Sequence, residues 1–183
     1  MQIAADRQVS GIARLCCAAV SGLSILVCSC SQSSARDESL RLVRVIEVPL
    51  RTPRDRSDLL YLIRQHATAA GLHVDDRSAD VQRAGPSLPV EYRKTIYVGA
   101  WRGSTDDDLE ITIDDAGHAG RAWVAFAKGQ HPALATRLRN SLSPVILQRW
   151  PDAMEVPVLP SGGMPLPSNL RRTETGYVLT SSQ

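Results

Sequence analysis

"KTIYVGAWRGSTDDDLEITIDDAGHAGRAWVAFA", Lys94 to Ala127, holds three short apolar runs separated by polar connectors. The runs Thr95 to Trp101, Leu109 to Ile113 and Arg121 to Ala127 have strand length and are rich in Val, Ile and Trp. The connectors "RGSTDDD" and "DDAGHAG" are polar, contain glycine and have the length of hairpin loops. This spacing predicts an antiparallel meander, and the rest of the chain can be placed around it.

Upstream, "LRLVRVIEVPL" (Leu40 to Leu50) predicts a strand from about Leu42 to Leu50. Alternation puts Leu42, Arg44, Ile46 and Val48 on one face and Val43, Val45 and Glu47 on the other. Apolar residues on both faces suit a central strand. "TPRDRSDLLYLIRQHATAAG" (Thr52 to Gly71) predicts a helix. Thr52 can cap it, Pro53 suits its first position, and Asp55 and Asp58 lie near the positive end of its dipole. Leu59, Leu62, Ile63, His66 and Ala70 form its apolar stripe, and Gly71 ends it. A short strand is expected at Leu72 to Asp75. "VQRAGPSLPVEYR" (Val81 to Arg93) reads as a loop with room for an edge segment.

Downstream, "HPALATRLRNSLSPVILQRWPD" (His131 to Asp152) predicts a second helix with Leu134, Leu138 and Leu142 at four-residue spacing. Pro144 either kinks it or opens a short further helix capped by Ser143. Prolines at 157, 160, 165 and 167 keep the next segment out of any central strand. "TGYVLT" (Thr175 to Thr180) fits a last edge strand or a docked tail. The expected class is α+β: a mostly antiparallel sheet, two helices packed on one face, and a Pro-rich C-terminal tail over about 156–170.

Apolar content of 43% against 22% charged residues fits a globular chain. A net charge of +2 and an aromatic content of 4% argue against a nucleic-acid partner. Basic residues are nearly all arginine, Lys94 and Lys128 being the only lysines. No block of like charges forms a tail.

All four cysteines, Cys16, Cys17, Cys28 and Cys30, fall in the first thirty residues. The start "MQIAADRQVSGIAR" is net positive, and "LCCAAVSGLSILVCS" (Leu15 to Ser29) carries no charge. Fifteen uncharged residues fall short of the roughly twenty of a membrane-spanning helix. They match the apolar core of an export signal. "VCSC" (Val27 to Cys30) resembles the lipobox of bacterial lipoproteins. Val27 stands three before the acceptor, Ser29 directly before it, and Cys30 is the acceptor. Cys28 is a poorer acceptor, since Val27 would fill the position that wants a small residue.

The resemblance covers only the N-terminal thirty residues. It implies diacylglycerol on Cys30, cleavage after Ser29, and an acyl chain such as palmitate on the new amino group. Several chains anchor stably where one does not. Ser31 in place of Asp implies, by the sorting behaviour of that class, the periplasmic face of the outer membrane. The alternative is ordinary cleavage and a soluble periplasmic protein. The expected organisation is a signal peptide over 1–29, a flexible tether over 30–40 and one domain over 41–183.

The chemistry-bearing residues form no known motif. His73 and Asp75 share a strand face and could hold a metal with a third ligand, though an exposed strand end explains them as well. His66 falls on the helix stripe as a packing residue; His118 and His131 stand alone. Asp106, Asp107, Asp108 and Glu110 lack the spacing of a calcium loop, and turn chemistry accounts for them and for Asp114, Asp115 and Gly117. Glu47, Glu91 and Glu110 are too scattered to propose a carboxylate pair. No catalytic residue and no cofactor is expected. Trp101 and Trp150, at element ends, are candidate partner contacts, with core packing as the alternative.

The chain therefore reads as a lipid-anchored, periplasm-facing envelope protein that binds another envelope or periplasmic protein. An immunity-type inhibitor and an accessory subunit of an envelope machine both fit. The alternative is a cell-wall-acting periplasmic enzyme with an unrecognised site.

Overall fold

The computed structural model describes residues 38–87, 95–103, 109–115 and 120–180. The expected signal peptide over 1–29, Cys30, Glu91, the acidic run 106–108, Gly117 and His118 lie outside these residues. The described elements are β1 (Leu42–Pro49), α1 (Pro53–Ala70), β2 (His73–Asp76), α2 (Ser78–Ala84), β3 (Tyr97–Trp101), β4 (Leu109–Asp114), β5 (Arg121–Ala127), α3 (Pro132–Arg149), β6 (Met154–Val156), β7 (Leu170–Arg172) and β8 (Tyr177–Leu179).

The meander forms as its spacing predicts. β3, β4 and β5 pair antiparallel in sequence order. β1 then adds to β5, β6 to β1, and β2 to β3, giving the order β2-β3-β4-β5-β1-β6. α1 and α3 cover one face of this antiparallel sheet, so the class is α+β as expected. β1 is buried on both faces between β5 and β6.

α1 begins where its capping chemistry places it. Thr52 accepts from the Asp55 amide, and the Asp55 carboxylate accepts from the Thr52 amide at 2.8 Å. Gly71, at φ 85°, closes the helix. Leu59, Ile63, Ala67 and Ala70 are buried from α1; Leu138, Leu142 and Ile146 are fully buried from α3. They pack on Ile46, Val48, Val98, Ile111, Ile113, Val124 and Phe126 of the sheet. Each large side chain buried there contributes about 1.5–3 kcal/mol. Leu62 and His66 sit half-buried at the edge of the stripe.

The opposite face holds a smaller core of Val45, Trp123, Ala125 and Val156. Val158, Met164, Leu170 and Tyr177 of the C-terminal segment pack over it. The Pro-rich stretch is thus a strap across the sheet, fixed at one point by the Leu42 amide donating to Gly162 O at 2.7 Å.

Two details differ from the expectations, and two decide between alternatives left open. A bulge between Leu42 and Arg44 skips Val43, so Leu42 faces Val45 and Trp123 rather than Ile46. Part of the expected loop after Val81 is helical: α2 starts with Asp76 accepting from the Ser78 amide at 3.0 Å. α3 runs unbroken through Pro144, because Leu142, Ser143 and Ile146 are all held in the core around it. The last strand pairs with β7 in a separate hairpin instead of joining the main sheet.

Candidate functional site

The strand register lines up a row across the sheet face that carries the strap. Tyr97 stands opposite Asp114, Asp114 opposite Trp123, and Trp123 opposite Glu47. Glu47 is buried at 3% exposure, where an uncompensated charge is strongly unfavourable. Its carboxylate accepts from Arg121 at 2.7 Å, Trp123 Nε1 at 3.0 Å and the Tyr177 hydroxyl at 2.8 Å. The site is closed: every neighbour donates, and the strap lies on top. Its chemistry is that of a clamp holding the C-terminal hairpin to the sheet. Burial and the adjacent Glu47 charge push the Tyr177 phenol above its ordinary pKa.

At the β2–β3 edge, Trp101 is buried with its ring over Gly99, where a Cβ would meet Cη2 at 1.8 Å. His73 stacks on this ring at 6.2 Å between centroids, and the Arg77 guanidinium lies 4.8 Å from the ring centre. Arg77 also donates to Asp75 at 2.8 Å. His73 and Asp75 therefore share a face, as their spacing predicts, and both contact the Trp101–Arg77 cluster. Among the described residues no group of three His, Cys, Asp or Glu side chains could hold a metal ion.

The remaining acidic positions stabilise loops. Glu110 is skipped by the β3–β4 register, and this bulge turns its buried carboxylate toward the start of α3. There it accepts from the His131 amide at 3.2 Å and lies against Gly129. Gly129 has φ 78°, and a Cβ there would fall 1.5 Å from Glu110 Oε2. Asp115 accepts from the Thr95 amide at 3.0 Å and from its hydroxyl.

Trp101 and Trp150, considered from sequence as partner contacts, are both buried. Trp150 belongs to the main core and reaches Asp55 of the α1 capping box through Nε1 at 3.4 Å. Tryptophans were needed for volume in a chain with one Phe.

The open surface lies instead on the outer side of the helices, in a groove of about 470 Å³ between α1 and α3. Leu62 and Val145, half-buried, form its floor. Tyr61 rises beside them at 66% exposure. Asp58 near the start of α1 accepts from Arg149 at the end of α3 at 2.6 Å, so the two helices run antiparallel. Arg54 lies 3.9 Å from the same carboxylate and is mostly exposed. A smaller hollow of about 190 Å³ continues past Arg149 toward Trp150 and Pro49. Sequence reasoning missed this groove. The signal was present, since Tyr61 is a large aromatic off the apolar stripe of α1.

Compared with known proteins, the chain matches no family model, no curated protein and no solved structure.

Proposed function

We propose that the protein is a lipid-anchored envelope protein, held by Cys30 at the periplasmic face of the outer membrane, that acts by binding another envelope or periplasmic protein. An immunity-type inhibitor and an accessory subunit of an envelope machine are the two forms this takes. The lipobox-like Val27–Cys30 supports the anchor. The observation that carries the binding role is Tyr61, an exposed aromatic beside a half-buried apolar floor and next to Arg54 and Arg149. Aromatic and arginine side chains dominate the energetics of protein contact surfaces. The buried carboxylate Glu47 is committed to Arg121, Trp123 and Tyr177 and serves the fold.

The test is affinity capture with the full-length, detergent-solubilised protein, alongside an assay on cell-wall fragments. A stoichiometric partner supports the reading. Turnover of cell-wall fragments that a single His or Asp substitution abolishes would defeat it in favour of an enzyme.

A further inference from the structure

The helical layer carries an uneven charge. α1 has three arginines against two aspartates, and α3 has three arginines and no acidic residue. The whole chain nets only +2, so the remainder is net acidic. Both aspartates of the layer are already engaged: Asp55 closes the capping box and Asp58 pairs with Arg149. Arg137 and Arg139 make no ion pair among the described residues, and Arg137 is exposed.

Arg54 and Arg149 line one end of the groove, and helix geometry carries the charge further along α3. Arg137, Ser141 and Val145 follow at four-residue spacing on one stripe of α3. Arg137 stands about 18 Å along the axis from Arg149. The groove is therefore lined by Arg54 and Arg149 at one end and by Tyr61, Leu62 and Val145 beyond them, and Arg137 stands outside it, about two turns past Val145 on the same helix. Leu62 and Val145 are half-buried there, while Tyr61 stands out at 66% exposure and offers its ring to a partner side chain.

We infer that this groove receives an acidic amphipathic segment of the partner protein, with carboxylates at Arg54 and Arg149 and, past the groove, at Arg137, and an apolar side chain beside Tyr61. The inference rests on the protein-binding reading above. A carboxylate reaching Arg149 competes with Asp58, so Arg54 and Arg137 supply most of the attraction. Such rim charges act mainly through association rate and salt dependence.

The probe is a fluorescein-labelled helical peptide with leucines on one face and glutamates on the other, titrated with full-length protein. Binding that weakens with added salt is expected, with a loss of about tenfold in R54E/R149E. R137E, remote from the Asp58 pair, weakens it as well, while R171E/R172E on β7 leaves it unchanged. Equal binding of a Lys-for-Glu peptide, or wild-type binding by R54E/R149E, overturns the inference. Phosphatidylglycerol vesicles that bind and are released by the same substitutions, with the peptide left unbound, also overturn it and indicate a lipid surface. Capture of the native partner by R54E/R149E as by wild type leaves the protein-binding reading standing and removes the groove from it. Failure of wild-type protein to capture any partner counts against that reading, and the peptide titration still decides the groove.

Discussion

The hydroxyl of Tyr177 lies 2.8 Å from each carboxylate oxygen of Glu47, joining β8 to β1 across 130 positions of sequence. With Arg121 and Trp123 it completes the partners of a carboxylate that sits in the sheet interior. A hydrogen bond to a charged, buried acceptor contributes more than a neutral one, about 1.5–3 kcal/mol. Tyr177→Phe is expected to lower the urea-denaturation free energy by that amount. Unchanged stability would mean that the strap is held without this clamp.

The same pair sets an alkaline limit. The folded-state pKa of Tyr177 is raised, first by burial and then by Glu47, above its ordinary value of 10.0. Its contribution to stability is therefore complete below pH about 10 and is lost as pH rises through the higher folded value. Thermal melts across the alkaline range should show a fall in stability that Tyr177→Phe lacks. Parallel curves for the two proteins would contradict the assignment.

Gly99 exists for Trp101. The ring covers the position a Cβ would occupy, so Gly99→Ala must displace either the ring or the strand. Overpacking of this kind costs about 1–3 kcal/mol. Tryptophan emission should shift to the red together with a lower melting temperature, as Trp101 leaves its contacts with His73 and Arg77. An unshifted spectrum with full stability would show that the ring does not rest over Gly99.

The sheet was legible from sequence because its strands carry period-two patterns between polar turns. α1 was legible because Thr52, Pro53 and Gly71 mark its ends chemically. What failed to show was set by tertiary contacts. The bulge at Val43 leaves no local mark, yet it reverses the facing of Leu42. Pro144 allows either a kink or a new helix, and the buried side chains on either side of it keep α3 one continuous element. β6 is three residues long, too short for any pattern, and exists only because β1 offers it an edge. The clamp at Glu47 was invisible for the same reason: its members lie in β1, β5 and β8, and only the register brings them together. The groove was half visible, in a tyrosine off the apolar stripe, but the meeting of Arg54 and Arg149 at one end required knowing that α1 and α3 are antiparallel.

The lipid anchor has its own measurement. Intact mass of the protein extracted from envelopes should equal the chain from Cys30 onward plus a diacylglycerol and an acyl chain. Cys30→Ala should abolish the added mass and move the protein out of the membrane fraction. An unchanged mass and distribution would remove the anchor from the account.

The central claim is that the outer side of the helical layer contacts another protein. A photo-crosslinking amino acid placed at Tyr61, and separately at Leu179 on the exposed side of the C-terminal hairpin, tests it in intact envelopes. The account predicts one discrete higher-mass adduct from position 61, weakened by R137E, and none from position 179. No adduct at 61, or equal labelling from both positions, would contradict it.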